Sequence, residues 1–417
     1  MEEAKKLDVY CAEKLVGQLI DGIQLKFSYS DSWINNQNHS ISPSLLTAKK
    51  EYEGLSVEAF FENLLPEAGI RELLKLKYQV SSTFGLLSVV GGDTASDLTI
   101  LAEGQQPNKP EYQGMEWLDV QASFKNQQGV IATAREKKSI RISLAGAQRK
   151  MGIVIRNEKL FLPLGNSPST YIIKPDIERV EGVWASAMNE AFVMKLAETI
   201  ELGVAKTFYQ PLVKACVIKR YDRIQEDQMI RKIHQLDLCQ VDGKTSNIKY
   251  ESEGGPSLKR CYELLKEYGV QAKDLKRFIE WIFFNLYVGN HDSHAKNLSI
   301  YFPENEGARL TPFYDLLCTD IYPGLSRNFA FAIGGEARPS HLEIKHLKLM
   351  AQDLRVKENF VFEIAQKISA KILENMELTL ECLMTAAPKG SETIMLDRLS
   401  GHILKNTQKL QKRFNFV

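Results

Sequence analysis

The sequence predicts an α+β chain with a β-rich N-terminal part and a helical C-terminal part. Three observations carry this reading. Short stretches of period-two alternation recur up to about Tyr221, and helical periodicity takes over from about Leu238. The composition, 44% hydrophobic and 25% charged, is that of an ordinary globular protein and argues against a disordered, collagen-like or coiled-coil chain. At 417 residues, and with roughly 150 residues per domain, two to three domains are expected. Lys and Arg number 53 against 52 Asp and Glu, a formal net charge of +1, so no global field holds nucleic acid or an anionic membrane. No apolar run reaches the ~18 residues of a membrane span. The opening Met1-Glu2-Glu3-Ala4-Lys5-Lys6 lacks the apolar core of a signal peptide, so the chain is expected in the cytoplasm without a membrane partner. Six scattered cysteines contain no C-x-x-C pair and read as reduced thiols.

Taken in order, Leu7 to about Glu103 alternates β-like stretches with one compact helical zone. Ser56 reads as the cap of a helix start, Pro66 as the opening of a second short helix, and Gly91-Gly92-Asp93 as a turn. The polar stretch from Gly104 to Tyr112, with Pro107 and Pro110, reads as a connector, which places a first domain at 1–110. Alternation at Ile140–Ser143, Met151–Arg156 and Leu160–Leu162, with a turn at Asn157-Glu158, predicts consecutive antiparallel strands. Thr170–Lys174 predicts another strand, stopped by Pro175, followed by a helix over Val183–Leu202 with Gly203 as its C-cap. Strands around Lys206–Tyr209 and Ala215–Tyr221 complete a second domain at 111–237. In the remainder, 238–417, Lys273–Tyr287 is the strongest helix and breaks at Gly289-Asn290. A β-like pair, Leu298–Phe302 and Arg309–Phe313, follows the break, and helices resume after about Ser340.

The break itself carries the chemistry. In His291-Asp292-Ser293-His294-Ala295-Lys296-Asn297 the Asp and Asn stand five apart. That is the spacing of phosphoryl-transfer loops, in which the Asp accepts the substrate hydroxyl proton and the Asn holds a metal ion. Alone, the pair fits loop hydrogen bonding better than chemistry. Thr311-Pro-Phe-Tyr-Asp315 follows at a hairpin's length, which would return Asp315 beside Asn297, and two such oxygen ligands suit Mg²⁺. Upstream, Lys174 ends a strand and Glu190 lies on the next helix, the order in which a kinase neutralises nucleotide phosphates with a Lys oriented by a Glu. The four charged groups Lys174, Glu190, Asp292 and Asp315, in that functional order, predict an ATP- and Mg²⁺-dependent phosphotransferase with a bilobal, protein-kinase-like fold. The H-x-x-H spacing of His291 and His294 lacks a third zinc ligand nearby, and His294 reads as a phosphate donor or loop anchor. His39, His234, His341, His346 and His402 read as structural or exposed.

Ser143-Leu-Ala-Gly-Ala-Gln148, Tyr171-Ile-Ile-Lys174, Lys219-Arg-Tyr-Asp-Arg223, Leu236-Asp-Leu-Cys-Gln240, Lys249-Tyr-Glu-Ser-Glu-Gly-Gly255, His291–Asn297 and Thr311–Asp315 resemble, in order, the motifs of the HipA family of toxin serine/threonine kinases. Phe61-Glu-Asn-Leu-Leu-Pro-Glu67 and Leu86–Gly92 resemble that family's extra N-terminal subdomain, so the resemblance covers nearly the whole chain. It implies a type II toxin–antitoxin protein kinase, a small DNA-binding antitoxin of the HipB kind as partner, DNA contact through that complex, and an aminoacyl-tRNA synthetase as the phosphorylated protein. It further implies Asp292 as catalytic base, Asn297 and Asp315 as Mg²⁺ ligands, and Lys174 as the phosphate clamp with His294 beside it. Ala145, Gly146, Ala147, Gln148, Arg149 and Lys150 become the phosphate loop. Lys219, Arg220 and Tyr221 become the adenine-binding connection, and His294, Ala295, Lys296 and Tyr314 line the nucleotide site. Ser143 becomes the autophosphorylated serine.

The chain departs from the pattern in two places. Lys219 stands where an acidic residue is expected, and Asp315 is followed by Leu316-Leu317 rather than by Phe-Gly. Two other functions fit parts of the sequence. Asp292-Ser-His294-Ala-Lys-Asn297 also matches the D-x-H-x-x-N loop of small-molecule (aminoglycoside and choline) phosphotransferases. The closing residues 388–417 carry six Lys or Arg against two acids, which would suit a non-catalytic co-repressor that brings its antitoxin to DNA.

Overall fold

A computed structural model describes residues 4–125, 148–178, 180–226 and 229–416. The predicted strand Ile140–Ser143 and loop residues Ala145, Gly146 and Ala147 lie outside the described residues. The chain divides into two compact units that alternate along its length. The first comprises Met1–Ile173, Arg220–Asn247 and Tyr301–Pro303; the second comprises Lys174–Lys219, Ile248–Ile300 and Glu304–Val417.

In the first unit a five-stranded antiparallel sheet runs in the order Glu51–Glu53, Lys26–Tyr29, Lys14–Ile20, Lys6–Cys11, Leu98–Ala102. Leu7, Val9, Leu19 and Phe27 share one face and are buried, and Asp8 and Tyr10 on the opposite face of the first strand are buried as well, so that strand is covered on both sides. The helical zone is Leu55–Glu62, Ala68–Tyr78 and Thr83–Val90. Ser56 does not cap the first of these: Gly54 does, at φ 82°, a left-handed value that glycine adopts without strain while its N–H closes onto Leu25 O at 3.1 Å. Pro66 does not open the second helix either. Its carbonyl accepts from Arg71 Nε at 2.7 Å, and the helix starts two residues later at Ala68.

Four further strands of this unit, Glu111–Met115, Lys159–Leu164, Met151–Arg156 and the start of Tyr171–Pro175, pair antiparallel in that order. The hairpin turn at Asn157 (φ 47°) and Glu158 (φ 64°) has both central residues left-handed, the geometry whose twist matches that of its strands. The first two residues of the strand Glu111–Met115 fall in the polar stretch Gly104–Tyr112 that reads as connector, where Pro107 and Pro110 mask the start of the strand.

A buried ionic network ties the segments of this unit together. Asp93 Oδ2 accepts from Ser169 N at 3.0 Å, Ser169 Oγ at 2.8 Å and Arg220 Nη1 at 3.3 Å, while Asp93 Oδ1 accepts from Arg223 Nη2 at 2.9 Å. Asp222 bridges the same arginines: Arg220 Nη2 at 2.8 Å and Arg223 Nη1 at 2.6 Å both donate to its Oδ2. Thr94 O also accepts from both guanidiniums, at 3.0 and 2.7 Å. Two carboxylates and two guanidiniums hydrogen-bonded on several sides, with the Lys232 ammonium 3.7 Å from Asp93 Oδ1, satisfy the condition under which burial of charge is tolerated.

The second unit is mainly helical. Its helix Ser186–Thr199 is shorter than the predicted Val183–Leu202, with Ile200 and not Gly203 at the C-cap. Gly203, φ 81°, instead accepts at its carbonyl from Phe313 N at 3.0 Å and Arg277 Nη2 at 2.8 Å. A Cβ there would meet the Arg277 guanidinium at 2.9 Å. The hairpin Thr207–Gln210 with Ala215–Lys219 follows. The helix Ala272–Val288 is the axis of the unit; Phe278, Trp281, Phe283, Phe284 and Tyr287 along it are all buried. The helices Leu258–Glu267, Ile344–Leu354, Glu358–Met384 and Ser391–Arg413 complete the unit. Tyr287 Oη donates to Ala365 O at 3.1 Å and Asn406 Nδ2 to Tyr287 O at 2.8 Å, fastening the axis to the two C-terminal helices. Among the described residues no helix is long and apolar enough to cross a membrane.

The Asp93 network generates a test. Asp93→Ala strands two buried guanidiniums and is expected to destabilise the protein by about 3–5 kcal/mol, read from urea unfolding. Burial raises the Asp93 pKa, but Arg220, Arg223 and Lys232 outweigh it and hold the carboxyl below its usual range. A depressed carboxyl contributes stability above its unfolded pKa and loses it as pH falls through the folded value. The gap between parent and variant should therefore be full above about pH 4 and narrow on acidification.

Candidate active site

Helix Ala272–Val288 ends on Gly289, at φ 74°, whose left-handed conformation turns the chain out of the helix. Asn290 fixes the exit: its N–H donates to Asn285 O at 2.9 Å and its Nδ2 to Asn285 Oδ1 at 2.7 Å. The loop then folds on itself. His294 N donates to Asp292 O at 3.0 Å, Asn297 N to His294 O at 2.9 Å and Asn297 Nδ2 to Asp292 O at 3.4 Å. From His291 to Asn297 every residue is buried except Asp292, so the tight turn presents a single carboxylate outward. Thr319 Oγ1 accepts from His291 N at 2.8 Å and donates to Gly289 O at 3.2 Å, bracing the loop from outside. Burial lowers the His291 pKa despite the nearby Asp320.

The hairpin Ser299–Tyr301 with Arg309–Leu310 brings the chain back. Thr311 N donates to Ser299 O at 3.0 Å, and Tyr314 Oη donates to Lys296 O at 2.9 Å, so Tyr314 lies against the end of the loop. The next residue, Asp315, stands at φ 59°, a left-handed conformation that strains a non-glycine residue. Its Oδ1 accepts from Lys174 Nζ at 2.6 Å, and the same ammonium donates to Glu190 Oε1 at 2.7 Å. Burial lowers the Lys174 pKa, but Asp315 and Glu190 together hold it above the ordinary lysine value. The lysine is therefore charged and clamped between a helix carboxylate and the strained aspartate.

Two neighbours to which the sequence assigned no role, Asn189 and the motif residue Tyr250, complete the arrangement. Asn189 accepts at Oδ1 from Cys318 N at 2.8 Å and donates from Nδ2 to Cys318 O at 2.9 Å, so one helix residue holds Cys318 while the next, Glu190, shares Lys174 with Asp315. Tyr250 Oη donates to Asp292 Oδ1, and its ring lies edge-on to His294 at 5.1 Å. Nothing local marks the role of either residue, because both act across large sequence separations.

Lys174, Glu190, Asp292, His294, Ala295, Lys296, Asn297, Tyr314 and Asp315 all belong to the second unit, as does Lys219, which is exposed. Gln148, Arg149, Lys150, Arg220 and Tyr221 belong to the first. There the Arg220 guanidinium is committed to Asp222 and Asp93, Arg149 Nη2 donates to Phe124 O at 3.0 Å, and the Tyr221 ring meets Tyr301 at 6.0 Å. Ser143 lies outside the described residues.

Comparison with known proteins fits this geometry. Residues 142–376 match the HipA-like C-terminal domain and residues 7–101 the HipA N-terminal domain. A protein of Sinorhizobium fredii provisionally assigned as a kinase, Y4mE, is 33% identical over 371 residues, 84% of this chain and 86% of that protein. The serine/threonine-protein kinase toxin HipA of Shewanella oneidensis is 26% identical over 388 residues, 88% of this chain and 87% of its own. The fold matches HipA from the Shewanella oneidensis HipA, HipB and operator DNA complex with a TM-score of 0.83 at 21% identity, covering 98% and 99% of the two chains. With both family domains matched in chain order and a relative aligned over most of both lengths, the chain belongs to the HipA family.

Proposed function

We propose that the protein is an ATP- and Mg²⁺-dependent serine/threonine protein kinase acting as a HipA-like toxin. The observation that carries this reading is the charged Lys174 held between Glu190 and a left-handed Asp315. Strain of this kind persists only where surrounding structure over-determines it and clusters at functional sites. Asp292 is the base that accepts the proton of a substrate hydroxyl, and Tyr250 orients its carboxylate. Lys174 meets the nucleotide phosphates while Glu190 keeps it charged. His294, Ala295, Lys296 and Tyr314 line the nucleotide site, Ala145 to Lys150 form the phosphate loop, and Lys219 to Tyr221 supply the backbone that meets adenine.

Mg²⁺ requires hard oxygen donors, and the Asp315 carboxylate and the Asn297 amide oxygen meet that requirement. When bound there, the ion would supply positive charge that neutralises the nucleotide phosphates. Phosphoryl transfer asks little covalent work of the protein, so its contribution is positioning and charge neutralisation. The acceptor is a protein hydroxyl, for which the family resemblance points to an aminoacyl-tRNA synthetase and hence to inhibited translation. A HipB-like antitoxin is the proposed partner, with DNA reached through that complex, by likeness to the Shewanella assembly. Autophosphorylation of Ser143 would place nearly two negative charges beside the phosphate loop and switch the kinase off.

Labelled ATP, Mg²⁺ and a cell extract test the reading: label on an aminoacyl-tRNA synthetase band supports it, and label found only on small molecules refutes it. Asp292→Ala should lower transfer by about 10²–10⁴-fold while leaving the circular dichroism spectrum intact. Asp315→Ala should likewise lose transfer with the fold retained. Tyr250→Phe should lower kcat roughly tenfold, the effect of losing one hydrogen bond to a charged group, with little change in the KM for ATP. Intact-mass spectrometry after incubation with ATP should find one added phosphate on parent protein and none on Ser143→Ala.

A further inference from the structure

Three side chains of the first unit that take no part in the proposed phosphotransfer converge from distant stretches of chain. His39 follows the short helix Asp31–Asn35, Asp97 precedes the strand Leu98–Ala102, and His234 joins the strands Met229–Lys232 and Gln235–Asp237. Their ligating atoms all lie within 4.8 Å of one another. His234 Nδ1 is 2.8 Å from Asp97 Oδ1, His39 Nε2 is 3.6 Å from Asp97 Oδ2, and the two imidazole centroids are 4.8 Å apart. Cys11, the last residue of its strand, places Sγ 3.1 Å from Asp97 Oδ2.

A structural ion pair needs one histidine on one carboxylate. Here two imidazoles and a thiol crowd the same buried carboxylate, and protonating both rings would set like charges against each other. His234 is 8% exposed, and its Nε2 has no hydrogen-bond partner among the described residues. The set of two nitrogens, one oxygen and one sulfur is the borderline-soft donor set of zinc. With zinc–ligand bonds of ordinary length, the edges of the coordination tetrahedron are about 3.3–3.6 Å. His39 Nε2 and Cys11 Sγ approach Asp97 Oδ2, whereas His234 Nδ1 meets Oδ1, so a tetrahedral site requires the carboxylate to turn one oxygen to the ion and Cys11, which stands outside the three-residue group, to swing toward the imidazoles. Supporting contacts are already present: Ser96 Oγ donates to Asp97 Oδ1 at 3.0 Å, and Phe302 stacks on the His234 ring at 5.5 Å.

We propose that His39, Asp97 and His234, closed by the Cys11 thiolate, form a structural zinc site that fastens the N-terminal sheet to the segment around His234. Binding deprotonates the thiol and displaces its hydrogen bond to Asp97. Four protein ligands leave no open position, so the site contributes folding energy and not catalysis.

The test uses the full-length chain freed of metal by a chelator and titrated with Co²⁺, then with Zn²⁺. Expected are the visible bands of tetrahedral cobalt, a thiolate charge-transfer band in the near ultraviolet, and displacement of one equivalent by Zn²⁺. His39→Ala, at an exposed position that should leave the fold intact by circular dichroism, should weaken binding by roughly 10²-fold or more. Cys11→Ser should lose the charge-transfer band, and His341→Ala should titrate as the parent. Absence of tetrahedral bands in the folded parent, or a His39→Ala titration superimposable on the parent's, would overturn the assignment.

Discussion

One buried ammonium organises the candidate site. Removing Lys174 from water favours its neutral form, and only the two carboxylates within 2.7 Å keep it charged. That requirement dictates the surrounding architecture. A strand must end where Lys174 stands, a helix must begin soon enough to turn Glu190 inward, and a hairpin must return Asp315 to the same point. Asn189, one residue before Glu190, grips the backbone at Cys318, so the helix that supplies one carboxylate also fixes the stretch that follows the other. The left-handed backbone at Asp315 is tolerable because both sides of it are tied down.

Much of this was legible where chemistry is local. The stripe of Phe278, Trp281, Ile282, Asn285 and Leu286 defined the helix, and Gly289 marked its end, because the helix period and the left-handed cap are written in adjacent residues. The turn at Asn157-Glu158 was visible for the same reason. The order Lys174, Glu190, Asp292, Asn297, Asp315 suggested a shared site, and the structure brings Lys174, Glu190 and Asp315 into direct contact.

What escaped was set by tertiary contact. Ser56 has the chemistry of a cap, yet Gly54 takes the position since the closing strand demands φ 82° there. Gly203 looks like a helix terminator, but its missing side chain makes room for Arg277. Tyr250 and Asn189 have no periodic or spacing signature, and each finds its partner far along the chain. His39 and His234 looked solitary for the same reason: nothing in a linear reading brings either to Asp97.

The network around Asp93 bears on how the chain can be divided. Family boundaries at residues 101 and 142 suggest a detachable leader followed by a self-sufficient enzyme. Yet Asp93 lies inside the leader, and the guanidiniums it neutralises lie at Arg220 and Arg223, far beyond the boundary. A shortened gene product starting at the second boundary would retain both cations with half of their anionic partners gone. The first hundred residues are thus the missing half of an interior that their successors cannot complete alone.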